Sequence, residues 1–287
     1  MTIRTILAAI DLTPGSARVA ARARQLAQMH GARIIGIHVI EGLPDRHAAL
    51  PAGVDPSLLV AALEDDGHAR LRAMLGEDAG LHVEQGRPHE AILGLARRQG
   101  ADLVVIGPGV AQGLRERVFG STADRVTRCA PCPVLIVRHE ADTTWPRALT
   151  GLDFSEHARA AALAATRIAP GARQVFVHAD EIPLGFEQSM LKVGTSQAEI
   201  TRYRAARARN ARRRLRESLA QAGIAGTPDI RIRPGDPAAV ILAAARRSDL
   251  VVIGTQGMNA VSERILGSVA RKVLMQARGD VLAVPGG

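Results

Sequence analysis

The residues with the most suggestive chemistry are a set of glycines. From position 254 the chain reads Gly254-Thr255-Gln256-Gly257, and after nine further residues Gly267-Ser268 follows. Such a run can hold an anion. Gly254 and Gly257 would let backbone N–H groups approach a phosphate and would tolerate positive φ. Gly267-Ser268 opens a helix, whose unpaired N–H groups and dipole favour negative charge. The Ser268 hydroxyl would add a donor. No Gly-x4-Gly-Lys-Ser/Thr occurs, so no P-loop lysine clamps the anion. The plainer alternative is that these glycines only make turns. A second candidate is Asp153, in Gly151-Leu152-Asp153-Phe154-Ser155. A carboxylate there, at the end of a strand, can accept hydrogen bonds from a nucleoside. Its alternative is to cap a helix or to complement a helix dipole.

The elements that must position these residues come from a repeat. Gly31-Ala32-Arg33 and its following apolar run return as Gly171-Ala172-Arg173 and Val175 to Ala179. Gly86-Arg87-Pro88 returns as Gly235-Asp236-Pro237, and Asp102 to Gly107 returns as Asp249 to Gly254. Gly120-Ser121 returns as Gly267-Ser268, and Val134 to Val137 as Val281 to Val284. The order is unchanged, which predicts two homologous domains, 1–140 and 146–287. They join through a polar stretch ending at Trp145-Pro146.

Each copy alternates short β runs with helical stretches. In the first, Ile3–Ile10, Ile34–Ile40, His82–Glu84, Leu103–Gly107 and Val134–Val137 read as strands, several as continuous apolar runs suited to a buried parallel sheet. Thr13 followed by Pro14 reads as a helix N-cap and first turn, with Ser155 as the matching cap. The fold expected is therefore α/β, with two tandem five-stranded parallel domains and ligands beyond the carboxyl ends of the strands. Pairing Val134–Val137 against Val281–Val284 would cover both edges and make a pseudo-dimer within one chain.

Composition limits the function classes. Hydrophobic residues make up 47% and charged residues 23%, a globular balance. Aromatics are 2%, which speaks against base-stacking single-strand modules. No apolar run approaches the roughly 18–20 residues of a membrane span. Two cysteines exclude a disulfide scaffold. Met1-Thr2-Ile3-Arg4 leads into a strand without a charged-then-apolar leader, so a cytoplasmic location is expected. The net charge of +9 is uneven. Residues 1–143 carry 16 basic and 16 acidic side chains, whereas residues 144–287 carry 21 and 12.

Together, the Asp-Phe-Ser-Glu start, the Val-His segment, the Gly-x-Pro turn, the Gly-x2-Gly-x9-Gly-Ser loop and the last apolar strand resemble the universal stress protein family. The resemblance spans nearly the whole chain twice. It implies a Rossmann-like fold of the adenine nucleotide α-hydrolase type and a role in stress response or signalling. Some members of the family bind ATP and others bind no nucleotide. Carried over, it implies that Asp153 meets adenosine and the Ala179 backbone meets adenine. It also implies that Gly254, Thr255, Gly257, Gly267, Ser268 and Val269 surround ribose and phosphates, with ATP as ligand and Mg as the cation that could accompany it. Gln256 and Met258 depart from the His and Arg of many relatives.

In the first copy the equivalent residues are Asp11, Val39, Gly107, Gly120 and Ser121, a weaker site. There Val110 replaces the second glycine and resists positive φ, and Pro108 removes a backbone donor from the loop. The Ser-Gly-Gly-x-Asp-Ser and His-Ile-Gly-His signatures of related enzymes are absent, as is a nucleophile elbow. Slow ATP hydrolysis is therefore the most that catalysis would amount to.

Other signals read mostly as structural. Cys129-Ala130-Pro131-Cys132 matches a redox spacing, but Cys129 would end a helix, the unfavourable pole for a thiolate. Packing is the expected role. The nine His show no metal spacing. His38 and His178 recur at equivalent strand ends, for a structural role or one beside adenosine. Thr201 to Arg216 holds eight Arg, with Ile200, Tyr203, Ala211, Leu215 and Leu219 on one side of an amphipathic helix. The segment is either a solvated face or a surface for an anionic partner. The second reading makes the chain a scaffold or interaction protein that uses 202–216, with both glycine loops merely structural. A homodimer is a further expectation.

Overall fold

A computed structural model describes residues 2–42, 55–109, 119–141, 144–224, 226–257 and 266–286. Val110 and Met258 lie outside them. The chain divides into two compact units, Met1–Thr143 and Thr144–Gly287. Each is a mostly parallel sheet with interleaved helices, Rossmann-like and of the adenine nucleotide α-hydrolase type.

The first unit runs β1 (Thr5–Ala9), α1 (Ser16–His30), β2 (Arg33–Ile40), α2 (Pro56–Leu75), β3 (Gly80–Gln85), α3 (Pro88–Arg98), β4 (Leu103–Ile106), α4 (Ser121–Cys129) and β5 (Val134–Ile136). Its strand order is β3-β2-β1-β4-β5, with parallel pairing throughout. The middle strands are Val, Ile, Leu and Ala with no solvent-facing side, because helices cover both faces. The expected edge strand His82–Glu84 is longer than its polarity suggests, because Gly80 to Gln85 are all in register with Ile35 to Ile40.

The second unit runs β6 (Arg147–Gly151), α5 (Glu156–Ile168), β7 (Arg173–Asp180), α6 (Leu184–Lys192), α7 (Gln197–Gln221), β8 (Asp229–Pro234), α8 (Pro237–Ala244), β9 (Leu250–Gly254), α9 (Ser268–Gln276) and β10 (Asp280–Val284). Its order is β10-β9-β6-β7-β8, again parallel. An alanine-rich face of α5 lies on the sheet, with Ala161, Ala162 and Ala165 fully buried. The small side chains allow a close approach. A Cβ built on Gly254 would lie 2.8 Å from the His157 Cβ and 3.0 Å from its carbonyl carbon. Gly254 is therefore required by packing.

In both units the strand order, not the strand direction, reverses beside the first strand, which pairs with the second strand on one side and the fourth on the other. The crevice expected at such a switch point lies beyond the carboxyl ends of β1 and β4, and of β6 and β9. Asp11 and Gly107 follow the first pair, and Asp153 and Gly254 stand at the second.

One assignment needs correcting. Thr13 and Pro14 do not open α1, which begins at Ser16 with Gly15 as its cap residue. The Thr13 hydroxyl is engaged by Asp11 instead, at 2.7 Å. Ser155 does cap α5, its hydroxyl accepting from the Ala158 N–H at 3.1 Å.

Cys129 ends α4 and is exposed, whereas Cys132 is buried before β5. Burial, reinforced by the Asp102 carboxylate, pushes the Cys132 thiol up to about 12. A thiol-specific chromogenic reagent near neutral pH should thus titrate one cysteine in the native protein and two after denaturation. Fast reaction of both in the native state would contradict this packing.

Candidate functional site

The site is built from the turn after β6. Phe154 adopts φ 68°, a left-handed conformation rare for a bulky residue. Leu12, its counterpart after β1, has φ 58°. In each copy the strained residue lets the preceding Asp fold back on the turn. Asp153 Oδ1 accepts from the Ser155 N–H at 3.1 Å and the Ser155 hydroxyl at 2.5 Å. Asp11 Oδ1 accepts from the Thr13 N–H at 3.1 Å, the Thr13 hydroxyl at 2.7 Å and the Ser16 hydroxyl at 2.5 Å. Strain shared by two copies at one position marks a constraint beyond simple folding. It also means that the capping alternative for Asp153 is partly real: one carboxylate oxygen holds the turn.

His178 and His38 support these turns from below. The His178 Nδ1 lies 2.8 Å from the Leu152 carbonyl, and the His38 Nδ1 lies 2.9 Å from that of Ile10. Each ring ties the second strand to the residue just before the aspartate. The structural reading of the recurring His therefore holds.

The glycine loop converges on Asp153 from the other side. A Cβ added to Gly257 would lie 2.8 Å from Asp153 Oδ2. Asp153 and Gly257, about a hundred residues apart in sequence, thus share one small space. The loop is closed by the Gly267 N–H donating to the Thr255 carbonyl at 2.8 Å. Gly267 caps α9, and the Arg271 N–H returns to the Gly267 carbonyl at 2.9 Å. The N–H groups of Ser268, Val269 and Ala270 have no acceptor among the described residues, the usual condition of a helix start.

Two expectations about this loop need revision. Neither Gly254 nor Gly257 takes positive φ. Each is glycine because a side chain would strike a neighbour. The Thr255 N–H is not a free donor, because it bonds to the Val284 carbonyl at 2.9 Å. It follows that Pro108, at the equivalent position, costs the first unit a strand-end bond and no anion donor.

The first unit differs for other reasons. Its loop is closed by the same bond, Gly120 N–H to the Pro108 carbonyl at 2.8 Å. Yet Gly109 has φ 88°, and a Cβ on it would lie 2.8 Å from the Gly120 Cα. The loop is drawn tightly onto the helix cap. Moreover, aligning Gly120-Ser121 with Gly267-Ser268 sets Asp124 against Arg271. The first turn of α4 thus carries a carboxylate, itself paired with Arg128, where that of α9 carries a guanidinium that attracts an anion. This charge reversal was visible in the aligned repeats and is absent from the loop pattern alone.

Ala179 and Val39 lie near the ends of β7 and β2. The Leu152 N–H donates to the Val177 carbonyl at 2.8 Å, after which β7 continues to Asp180. Its edge toward β6 is then unpaired among the described residues, so backbone groups near Ala179 are open to a ligand.

Beside Asp153 the structure joins His178 and part of the arginine-rich helix to residues that sequence spacing did not single out. Phe154, His178, Asp180, Arg207, Asn210, Ala211 and Arg214 line a cleft of about 160 Å³. The Phe154 and His178 rings meet edge-on at 4.8 Å. The Arg214 guanidinium lies 4.3 Å from the Phe154 ring centre, within cation–π range. Arg207 is paired to Asp180 at 2.7 Å. Part of the arginine-rich helix thus walls the site. Among the described residues no group of three or more His, Cys, Asp or Glu side chains could hold a metal.

Asp11 makes one prediction. Burial raises its carboxyl, but the Ser16 and Thr13 hydrogen bonds outweigh it and leave the pKa below the ordinary carboxylate value. A depressed folded-state pKa contributes stability above the unfolded value, and that contribution fades as the pH falls through the folded value. Asp11→Asn should therefore be less stable than the parent at neutral pH, with the gap narrowing below about pH 4. Urea melts across that range would show a constant gap if the carboxylate has no such role.

The universal stress protein family model matches residues 2–138 and again 144–285. A universal stress protein from Thermus aquaticus is 39% identical over 140 residues, which is 47% of this chain and 98% of that protein. Another, from Methanocaldococcus jannaschii, is 30% identical over 141 residues, 47% of this chain and 82% of that protein. Among solved structures, a universal stress protein from Archaeoglobus fulgidus is similar over 100% of both chains, with a TM-score of 0.67 and 18% identity, a likeness of fold. No described helix is long and apolar enough to cross a membrane. With one match to each half, the chain belongs to the universal stress protein family and carries two of its domains in tandem.

Proposed function

We propose that this protein is a cytoplasmic stress-response or signalling protein whose second domain binds ATP beyond the carboxyl ends of β6, β7 and β9. The observation that carries this reading is the approach of Gly257 to Asp153, with a loop bonded to the cap of α9. It brings one carboxylate oxygen and the helix-start N–H groups of α9 to the same glycine loop. The carboxylate suits a ribose hydroxyl, and the N–H groups suit phosphates. Open backbone groups near Ala179 suit an adenine edge. Any Mg would arrive on the phosphates, since the cation prefers to keep waters and phosphate oxygens.

The first domain would bind weakly or not at all, given Asp124 in the first turn of α4 and the loop closed onto Gly120. Hydrolysis, if it occurs, would be slow, because the aspartate oxygen nearest Ser155 is already engaged. The test is nucleotide carried through purification of the full chain. Denaturation followed by chromatography should release ATP or ADP, and calorimetric titration of the stripped protein should give about one site per chain. Two equal sites, or none, would defeat the assignment to the second domain.

A further inference from the structure

The arginines of α7 divide into two sets. Arg204 is paired with Glu187 at 2.6 Å and Arg207 with Asp180 at 2.7 Å. Arg214 covers Phe154. These three serve the domain itself. Five are exposed and make no carboxylate pair among the described residues: Arg212, set to one side, and Arg202, Arg209, Arg213 and Arg216, of which Arg213 reaches only the Asn210 side chain. At about 100° per residue the latter four fall within about 60° of one another on the helix, along about 21 Å of its length. Of the buried residues, Ile200 and Leu215 occupy the opposite side and Leu219 lies at its margin. The four guanidiniums therefore form a straight stripe at the solvent pole, with the small Ala205 and Ala206 in the gap between the first two.

Along one flank of its N-terminal turns α7 packs against α6, which carries exposed apolar side chains. The Phe186 ring of α6 meets the Tyr203 ring at 6.1 Å between centres, about 100° around the helix from Arg202. Leu191 is also exposed, and Val193 is 81% exposed. Neither water nor a nucleic-acid backbone offers aliphatic groups a favourable place. A lipid surface offers both an anionic headgroup layer and an apolar boundary beneath it.

We infer that the Arg202–Arg216 stripe and the α6–α7 apolar corner form a docking surface for an anionic lipid membrane. The guanidiniums meet lipid phosphates, and Phe186, Leu191 and Val193 enter the headgroup boundary. Binding is peripheral and reversible, since the helix keeps its buried face in the domain. It weakens as salt screens the arginines.

The full chain should co-sediment with phosphatidylcholine vesicles that contain phosphatidylserine and not with phosphatidylcholine alone. A surface arginine contributes about fivefold to such partitioning. Arg209→Gln/Arg213→Gln should therefore weaken it about twenty-five-fold. A control with equal charge loss at exposed positions elsewhere, Arg24→Gln/Arg167→Gln, should leave it within about twofold. Val193→Asp should weaken vesicle binding and leave weak binding to duplex DNA unchanged. All these changes are at exposed positions, and circular dichroism is the check that each variant is folded. Equal losses in the two arginine pairs, or binding indifferent to phosphatidylserine, would overturn the proposal. So would tight binding to duplex DNA with none to vesicles, which would reassign the stripe to nucleic acid.

Discussion

Gly257→Val is expected to remove ATP binding by the full chain while leaving the fold intact. The first atom of the new side chain would lie 2.8 Å from Asp153 Oδ2, and the two further methyl groups would extend into the same space. The carboxylate oxygen would have to move, and the proposed ribose and phosphate positions would be partly filled. Loss of the contacts on both sides should weaken binding at least about a hundredfold, about 2.7 kcal/mol. Stability should change little, because the glycine lies in the loop beyond the carboxyl end of β9 and has no positive φ to defend. The substitution also reproduces the residue that the first copy carries at position 110. Calorimetric titration and retained nucleotide are the measurements. Unchanged affinity with an unchanged melting curve would show that the nucleotide, if bound, lies elsewhere.

Asp249→Ala should produce the largest loss of stability in the molecule. Asp249 is 1% exposed and accepts from the Arg147 Nε at 3.1 Å, from the Arg147 Nη2 and from the Arg246 N–H at 2.6 Å. Arg147 opens β6, and its other bond, to the Ala244 carbonyl at 2.8 Å, fixes the end of α8. Removing the carboxylate leaves a guanidinium buried without its counter-charge, which costs about 3–5 kcal/mol. For a unit of this size that corresponds to a fall in melting temperature of roughly 10–20 °C. The counterpart in the first copy, Asp102, is less buried and accepts from the Arg4 and Thr5 N–H groups at 2.8 and 3.0 Å. Asp102→Ala strands no buried charge, so it should cost about 1–3 kcal/mol. Thermal melts of the two variants should differ clearly. Equal losses would mean that the Arg147 pairing adds nothing beyond its hydrogen bonds.

The structure of the repeat was legible in the chain because it is written in local terms. Buried parallel strands need continuous Val, Ile and Leu runs, and glycines and prolines punctuate what lies between. Matching those runs in order gave the five strands of the first copy and three of the second close to those observed, and each helix cap glycine before Ser121 and Ser268. The start of α1 was misread, because the Thr13 hydroxyl could serve a helix cap or a carboxylate. Only the left-handed turn at Leu12 decided in favour of Asp11.

The candidate site divides the same way. Residue types and spacing by themselves identified Asp153, the glycine loop, the recurring histidines and the excess of arginine on one helix, because each is a pattern along the chain. They could not say why Gly254 and Gly257 are glycine. The reason is a close approach of His157 in one case and Asp153 in the other, both distant in sequence. Nor could they show that the Thr255 N–H is already used by Val284, or that Arg204, Arg207 and Arg214 serve the domain while five neighbours have no carboxylate partner among the described residues. Those facts depend on which groups meet across strands and helices. Such meetings are fixed by packing and hydrogen-bond satisfaction over the whole unit, whereas periodicity constrains only the residues within one element.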